Sequence, residues 1–125
     1  FLIGMDTNRL RTDPQLAGTL LENFVVMELA KQITWSRVRP QMFHFRTSLG
    51  KEVDIVLENA AGKLVGIEVK AAGTVKADDF AGLKTLAGEV PERFIRGMVL
   101  YTGTQTIPFG SNLFALPIST LWRLP

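Results

Sequence analysis

The sequence contains no cysteine. Disulfides, thiolate zinc sites and thiol nucleophiles are thereby excluded, and chemistry is left to carboxylates, hydroxyls, amines and a single histidine. It also lacks any apolar run near the roughly 20 residues that a bilayer span requires. The opening FLIGMDTNRL has neither the basic region nor the cleavage pattern of a signal peptide. A soluble, cytoplasmic protein without a membrane partner is the expectation. Internal repeats, low-complexity tracts and long charge blocks are missing too, and the glycines fall singly at positions that read as turns. With 125 residues, 46% of them hydrophobic, there is apolar material for one core and not length for two. The chain opens on Phe1 and not on methionine, so it reads as a single domain cut from a longer polypeptide. A net charge of +2 is compatible with a polyanionic partner without establishing one.

Periodicity then divides the chain. Thr12 or Asp13 can cap a helix with Pro14 in its first turn, and Leu16, Leu20, Leu21, Phe24, Val25 and Met27 supply a wide apolar stripe to about Ile33, predicting a long, mostly buried helix. The period changes in MFHFR (42–46), EVDIVLE (52–58) and LVGIEVK (64–70), short β-branched or aromatic runs parted by TSLGK and NAAGK. They predict a three-stranded meander. Asp78 can cap a second helix with Phe80, Leu83, Leu86 and Ala87 on its apolar face, ended by Gly88 and Pro91. Residues 95–101 read as a fourth strand reached by a parallel crossover. Residues 113–116 read as an edge strand, followed by a short helix near residues 120–123. The order α-β-β-β-α-β implies an α/β fold with a mixed central sheet flanked by helices.

Three carboxylates stand out against this frame. Strand alternation sends Glu52, Asp54 and Val56 to one face and Val53, Ile55 and Leu57 to the other. In the next strand Gly66, Glu68 and Lys70 share a face opposite Val65, Ile67 and Val69, so the carboxylate and amine of Glu-Val-Lys are neighbours. Glu22 lies beside an apolar helical stripe of Val25, Val26 and Leu29, where a carboxylate needs a partner. Such a set suits phosphodiester hydrolysis with Mg²⁺ (or Mn²⁺), since that ion takes oxygen ligands and is held by one or two carboxylates. Asp54 and Glu68 are the expected ligands and Glu22 an assisting one. Lys70 is placed to orient the attacking water or offset phosphate charge.

The helix Glu22, the Asp54 of EVDIV and the Glu68 and Lys70 of IEVK resemble the E…D…E-x-K signature of the PD-(D/E)XK, restriction-endonuclease-like nucleases. The strings GTLLENFVVMEL, FHFRTSLGKEVDIVL and LVGIEVKA further resemble the uncharacterised domain that follows the P-loop domain of many prokaryotic AAA-type ATPases, over most of residues 16–122. This resemblance implies a restriction-endonuclease-like core and Mg²⁺-dependent DNA cleavage with a layout similar to Holliday-junction resolvases. It also implies a C-terminal position after an N-terminal P-loop ATPase domain of the same polypeptide. No G-x-x-x-x-G-K-[ST] string is present, so this portion is not expected to bind ATP. The alternative is a non-catalytic DNA-binding or regulatory module of such an ATPase, and a partner-protein adaptor is a third reading that no residue singles out.

Each sharp reading has a plainer one beside it. E-x-K triplets occur by chance in strands; Asp54, fourteen positions before Glu68, and Glu22 on the preceding helix are what raise this one above chance. Glu22 can instead simply cap, or pair with Arg37 or Lys31, and Glu52 reads as an ordinary surface residue on the strand face of Asp54. His44, between Phe43 and Phe45, reads as structural or solvent-facing, and Trp35 and Trp122 as packing residues. Arg46 and Lys51 bracket the first hairpin turn and are candidates for phosphate contacts, or simply solubilising charge. The polar Thr102-Gly103-Thr104 loop follows the fourth strand, a usual place for binding in α/β folds. Cleavage of two strands would call for a homodimer with paired sites.

Overall fold

Asp13 starts the first helix: its Oδ1 accepts the Leu16 N–H at 3.0 Å and its carbonyl the Ala17 N–H at 3.1 Å. Pro14, whose missing N–H costs nothing in a first turn, follows it. The computed structural model describes residues 13–35 and 40–123, so Thr12, the other candidate cap, and Arg37 lie outside the described residues, as do the side chains of Trp35 and Trp122. Helix α1 spans Pro14–Trp35, slightly longer than its periodicity suggests. Only one side of it is buried. Val25 and Leu29 are buried and Leu21 and Val26 pack beside them, whereas Met27 is 63% exposed and lines an outward groove with Leu20 and Phe24. The expectation of a mostly buried helix is corrected accordingly, because apolar residues surround α1 while the sheet covers only one of its faces. No described helix is long and apolar enough to cross a membrane.

Strands β1 (Gln41–Arg46), β2 (Glu52–Glu58) and β3 (Leu64–Lys70) form the expected antiparallel meander. Their two turns are built alike. The N–H of Thr47 donates to the Lys51 carbonyl and that of Asn59 to the Lys63 carbonyl, while Gly50 and Gly62 donate back to the Thr47 and Asn59 carbonyls. Thr47 Oγ1 and Asn59 Oδ1 accept the N–H groups of Lys51 and Lys63. Gly50 and Gly62 carry φ of 87° and 81°, a region open to glycine and costly for β-carbon residues.

A 3₁₀ turn (Ala77–Phe80) leads into helix α2 (Ala81–Glu89), and β4 (Phe94–Tyr101) returns parallel to β3. Asp79, and not Asp78, closes the entry, its Oδ2 accepting the Lys76 N–H at 2.7 Å. Gly88 stays helical; the helix ends at Val90, whose N–H still reaches the Leu86 carbonyl before Pro91. Strand β5 (Ile107–Pro108) precedes β6 (Leu113–Pro117), giving the sheet order β1-β2-β3-β4-β6-β5. β6 is therefore not the edge as expected; the two-residue β5 covers it, too short to be read from alternation. A 3₁₀ segment, Ile118–Arg123, closes the described chain.

The result is an α/β fold in three layers. On one face the 3₁₀ turn and α2 bury Phe80, Leu83 and Leu86 against Val53, Val56 and Val99. On the other α1 packs Val25 and Leu29 on Ile55, Ile67 and Leu100, joined by Ile118 and Leu121. Each such side chain contributes about 1.5–3 kcal/mol through burial. Gly82 lets α2 approach β2 closely: a β-carbon there would collide with the Glu52 carbonyl oxygen.

Candidate active site

Strict alternation fails in β2, at the residue expected to carry the chemistry. Phe43 pairs with Val56 and Phe45 with Val53, so Asp54 and Ile55 together lie opposite His44 alone. This is a β-bulge, which re-aims side chains and strengthens local twist. Val53 and Val56 consequently both pack toward α2, while Ile55 and Leu57 pack toward α1. The expected grouping of Val56 with Glu52 and Asp54, and of Val53 with Ile55 and Leu57, is corrected by the extra residue. β3 has no such insertion: Val65, Ile67 and Val69 pack with the α1 layer, and Gly66 faces Leu83 and Leu86 of α2, as alternation requires.

Beyond the bulge, the β2–β3 seam changes character. Backbone pairing runs from Glu58↔Leu64 to Ile55↔Ile67 and is not continued at Asp54 and Glu68. Carboxylates take its place. Asp54 N–H donates to Glu68 Oε1 at 2.8 Å, and Val69 N–H donates to Asp54 Oδ2 at 2.8 Å. Past this point β2 stays with β1 through Phe45↔Val53 and Arg46↔Glu52, and β3 stays with β4 through Glu68↔Val99 to Lys70↔Tyr101. The sheet forks, and two half-buried carboxyl groups fill the crotch, each spending one oxygen on a backbone N–H.

Their electrostatics follow from this position. Burial, followed by the Asp54 charge, pushes the Glu68 carboxyl up to about 8; the Asp54 N–H opposes the rise, and Glu22 and Glu52 add to it. Burial also raises Asp54, against the Val69 N–H and His44 and with Glu52. Glu22 is raised by burial and then by Asp54, with His44 opposing. One helix and two strands thus bring Glu22, Asp54 and Glu68 into a single electrostatic neighbourhood. Lys31 stands nine residues after Glu22, which at about 100° per residue puts it on the opposite side of α1; it lines the outward groove there.

Lys70 lies two residues past Glu68 and its Nζ donates to Asp79 Oδ2 at 2.5 Å. Burial alone would lift the Asp79 carboxyl, but the Lys70 ammonium and the Lys76 N–H outweigh it and hold Asp79 below the usual carboxylate range. Arg46 and Lys51 are exposed on the hairpin that leads into Asp54. At the end of β4, the Thr102 N–H donates to the Ala72 carbonyl, setting the Thr102-Gly103-Thr104 loop beside the chain leaving Lys70.

Three participants escaped the sequence reading. His44 Nδ1 lies 3.3 Å from the Asp54 carbonyl and its Nε2 3.1 Å from Glu52 Oε1, so it bridges the bulge. Glu52, read as an ordinary surface residue, adds its charge to the carboxylate group. Asp79 orients Lys70. Only the bulge register reveals the first two, and the third needs the crossover geometry; no local motif marks them.

Among the described residues no three His, Asp or Glu side chains gather into a ready-made metal cage. Two carboxylates suffice for Mg²⁺, which keeps several waters and borrows phosphate oxygens. The donor set meets that need: Glu68 Oε2 and Asp54 Oδ1 are not used in the two backbone bonds, and the crowded negative charge favours a cation.

Residues 17–121 match the model of a family described as Domain of unknown function (DUF4143). No curated protein and no solved structure matches the chain.

Proposed function

The chain belongs to the DUF4143 family, and from that premise we propose that it is a divalent-metal-dependent, DNA-directed phosphodiesterase domain with its site in the β2–β3 fork. The observation that carries the reading is the reciprocal pair of backbone bonds that holds the Asp54 and Glu68 carboxyls side by side where the strands part. The order Glu22, Asp54, Glu68, Lys70 supports it through its similarity to PD-(D/E)XK nucleases. The resemblance to ATPase-linked domains supports an N-terminal P-loop domain as partner in the longer polypeptide.

Asp54 and Glu68 would hold Mg²⁺ or Mn²⁺, with Glu22 accepting a hydrogen bond from a water beside them. When bound, the ion supplies a water of lowered pKa and offsets charge on the phosphate. Glu68 gives up its proton to serve as a ligand, so ion binding is favoured as pH rises toward 8. Lys70 has three N–H donors, and Asp79 occupies one; another remains for the attacking water or a phosphate oxygen. Hydrolysis would form a bond from a water oxygen to phosphorus as the phosphorus–oxygen ester bond breaks, the water giving up one proton and the leaving oxygen gaining one, with Lys70 placed to orient the water or offset the phosphate charge. Arg46 and Lys51 supply sequence-independent phosphate contacts.

Nicking of supercoiled plasmid with Mg²⁺ or Mn²⁺ tests this. Wild-type chain should nick, and Asp54→Asn, Glu68→Gln and Lys70→Ala should not; nicking retained by Asp54→Asn and Glu68→Gln refutes the site. One observation favours a second reading, a non-catalytic DNA-binding or regulatory module of an ATPase: Lys70 is already engaged by Asp79. DNA retention without nicking at any metal concentration would establish that alternative.

A further inference from the structure

The two meander turns share one backbone design but not one tip. In the second, Ala61 precedes the left-handed glycine; in the first, the equivalent residue is Leu49, and it is 91% exposed. The turn geometry therefore does not require leucine, and Leu49 adds no burial to the core. An isobutyl group held almost wholly in water is an unfavourable arrangement for the free protein. Its presentation is fixed, because three hydrogen bonds close the loop: Thr47 N–H to the Lys51 carbonyl at 2.8 Å, Gly50 N–H to the Thr47 carbonyl at 3.0 Å, and Lys51 N–H to Thr47 Oγ1 at 3.1 Å.

The residues that bracket the turn are both cations. Arg46 and Lys51 flank it, and the acid that follows Lys51 in sequence, Glu52, is paired with His44 at 3.1 Å. Asp54 follows Lys51 by three residues of extended strand, roughly 10 Å. An apolar tip between two cations complements a polyanion with an apolar interior that opens locally, as stacked bases do at a weakened step.

We infer that Leu49 is a wedge that enters the base stack of DNA at a nick or similar interruption while Arg46 and Lys51 hold the flanking phosphates. This rests on the DNA-directed reading above, and it adds a structural preference for the substrate: a step already free to unstack, positioned one hairpin length from the fork.

The test uses the whole chain in EDTA, so that cleavage plays no part. The probes are intact and nicked duplexes of one sequence, with 2-aminopurine beside the nick position, and vesicles of phosphatidylglycerol and phosphatidylcholine. Wild-type chain should bind nicked DNA more tightly than intact DNA and raise 2-aminopurine fluorescence at the nick. Leu49→Ala should lose that rise and about tenfold in affinity for nicked DNA; Leu49→Phe should keep both. Arg46→Ala and Lys51→Ala should weaken both duplexes alike and lower the salt slope by about one each. Wild-type binding and fluorescence in Leu49→Ala would overturn the wedge, as would absence of any rise with wild type. Loss of vesicle binding in Leu49→Ala with DNA binding unchanged would overturn it in favour of a lipid surface. A chain that passes in EDTA yet never nicks plasmid sinks the nuclease alone, and one that nicks without unstacking sinks the wedge alone.

Discussion

Replacing Glu68 by glutamine should stabilise the protein at alkaline pH. The carboxyl titrates near 8 when folded and near 4.5 when the chain is unfolded, because burial and the charges of Asp54, Glu22 and Glu52 disfavour its ionised form. Below pH 4.5 both states hold the proton and Glu68 makes no difference. Between pH 4.5 and 8 the unfolded chain has released it and the folded chain has not, so stability falls as pH rises; above 8 the loss is complete. The full gap corresponds to nearly 5 kcal/mol, and partial contact of the carboxyl with solvent reduces this to about 2–3 kcal/mol. A glutamine amide cannot ionise, and its carbonyl still accepts the Asp54 N–H. Urea unfolding of both proteins from pH 5 to 9 reads the effect: across the range wild type should lose about 2–3 kcal/mol more than Glu68→Gln. The residual slope of the variant comes from Asp54 and Glu22, both also raised. Millimolar Mg²⁺ should restore wild type at pH 8.5 and leave Glu68→Gln unaffected. Equal slopes in the two proteins would refute the electrostatic description of the fork.

Asp79→Ala should cost about 1–2 kcal/mol of stability near neutral pH through loss of the Lys70 and Lys76 bonds, measured by urea unfolding. Because Asp79 is held low, that contribution should persist above pH 4 and fade as pH falls below the ordinary carboxylate range. Gly82→Ala should destabilise by about 3 kcal/mol or more, since its β-carbon meets the Glu52 carbonyl and either α2 or the bulged strand must move. Leu83→Ala, which empties a fully buried position between α2 and the sheet, should cost about 2–5 kcal/mol in the same assay.

Most of the architecture was legible because its signals are local. Asp13 and Pro14 mark a helix start, TSLGK and NAAGK mark turns through their glycines, and β3 alternates without interruption from Val65 to Lys70. Departures arose where tertiary pairing overrides local pattern. The bulge at Asp54–Ile55 depends on how β1 registers against β2, and nothing in EVDIVLE encodes an extra residue. β6 looked like an edge because β5 has only two residues. For the site, spacing put Asp54 and Glu68 on adjacent strands, and the structure joins them by backbone-to-carboxylate bonds that alternation does not foresee. His44 and Glu52 entered only through the register, and Asp79 only through the crossover that brings the 3₁₀ turn to Lys70.

Calorimetric titration of Mg²⁺ or Mn²⁺ into the chain at pH 7.5, repeated in two buffers of different ionisation enthalpy, tests the fork most directly. Wild type should bind the ion and release close to one proton, chiefly from Glu68, while Asp54→Asn and Glu68→Gln should lose the binding and remain folded. Ion binding that survives in both variants, or no binding by wild type at millimolar ion, would contradict a metal site between β2 and β3.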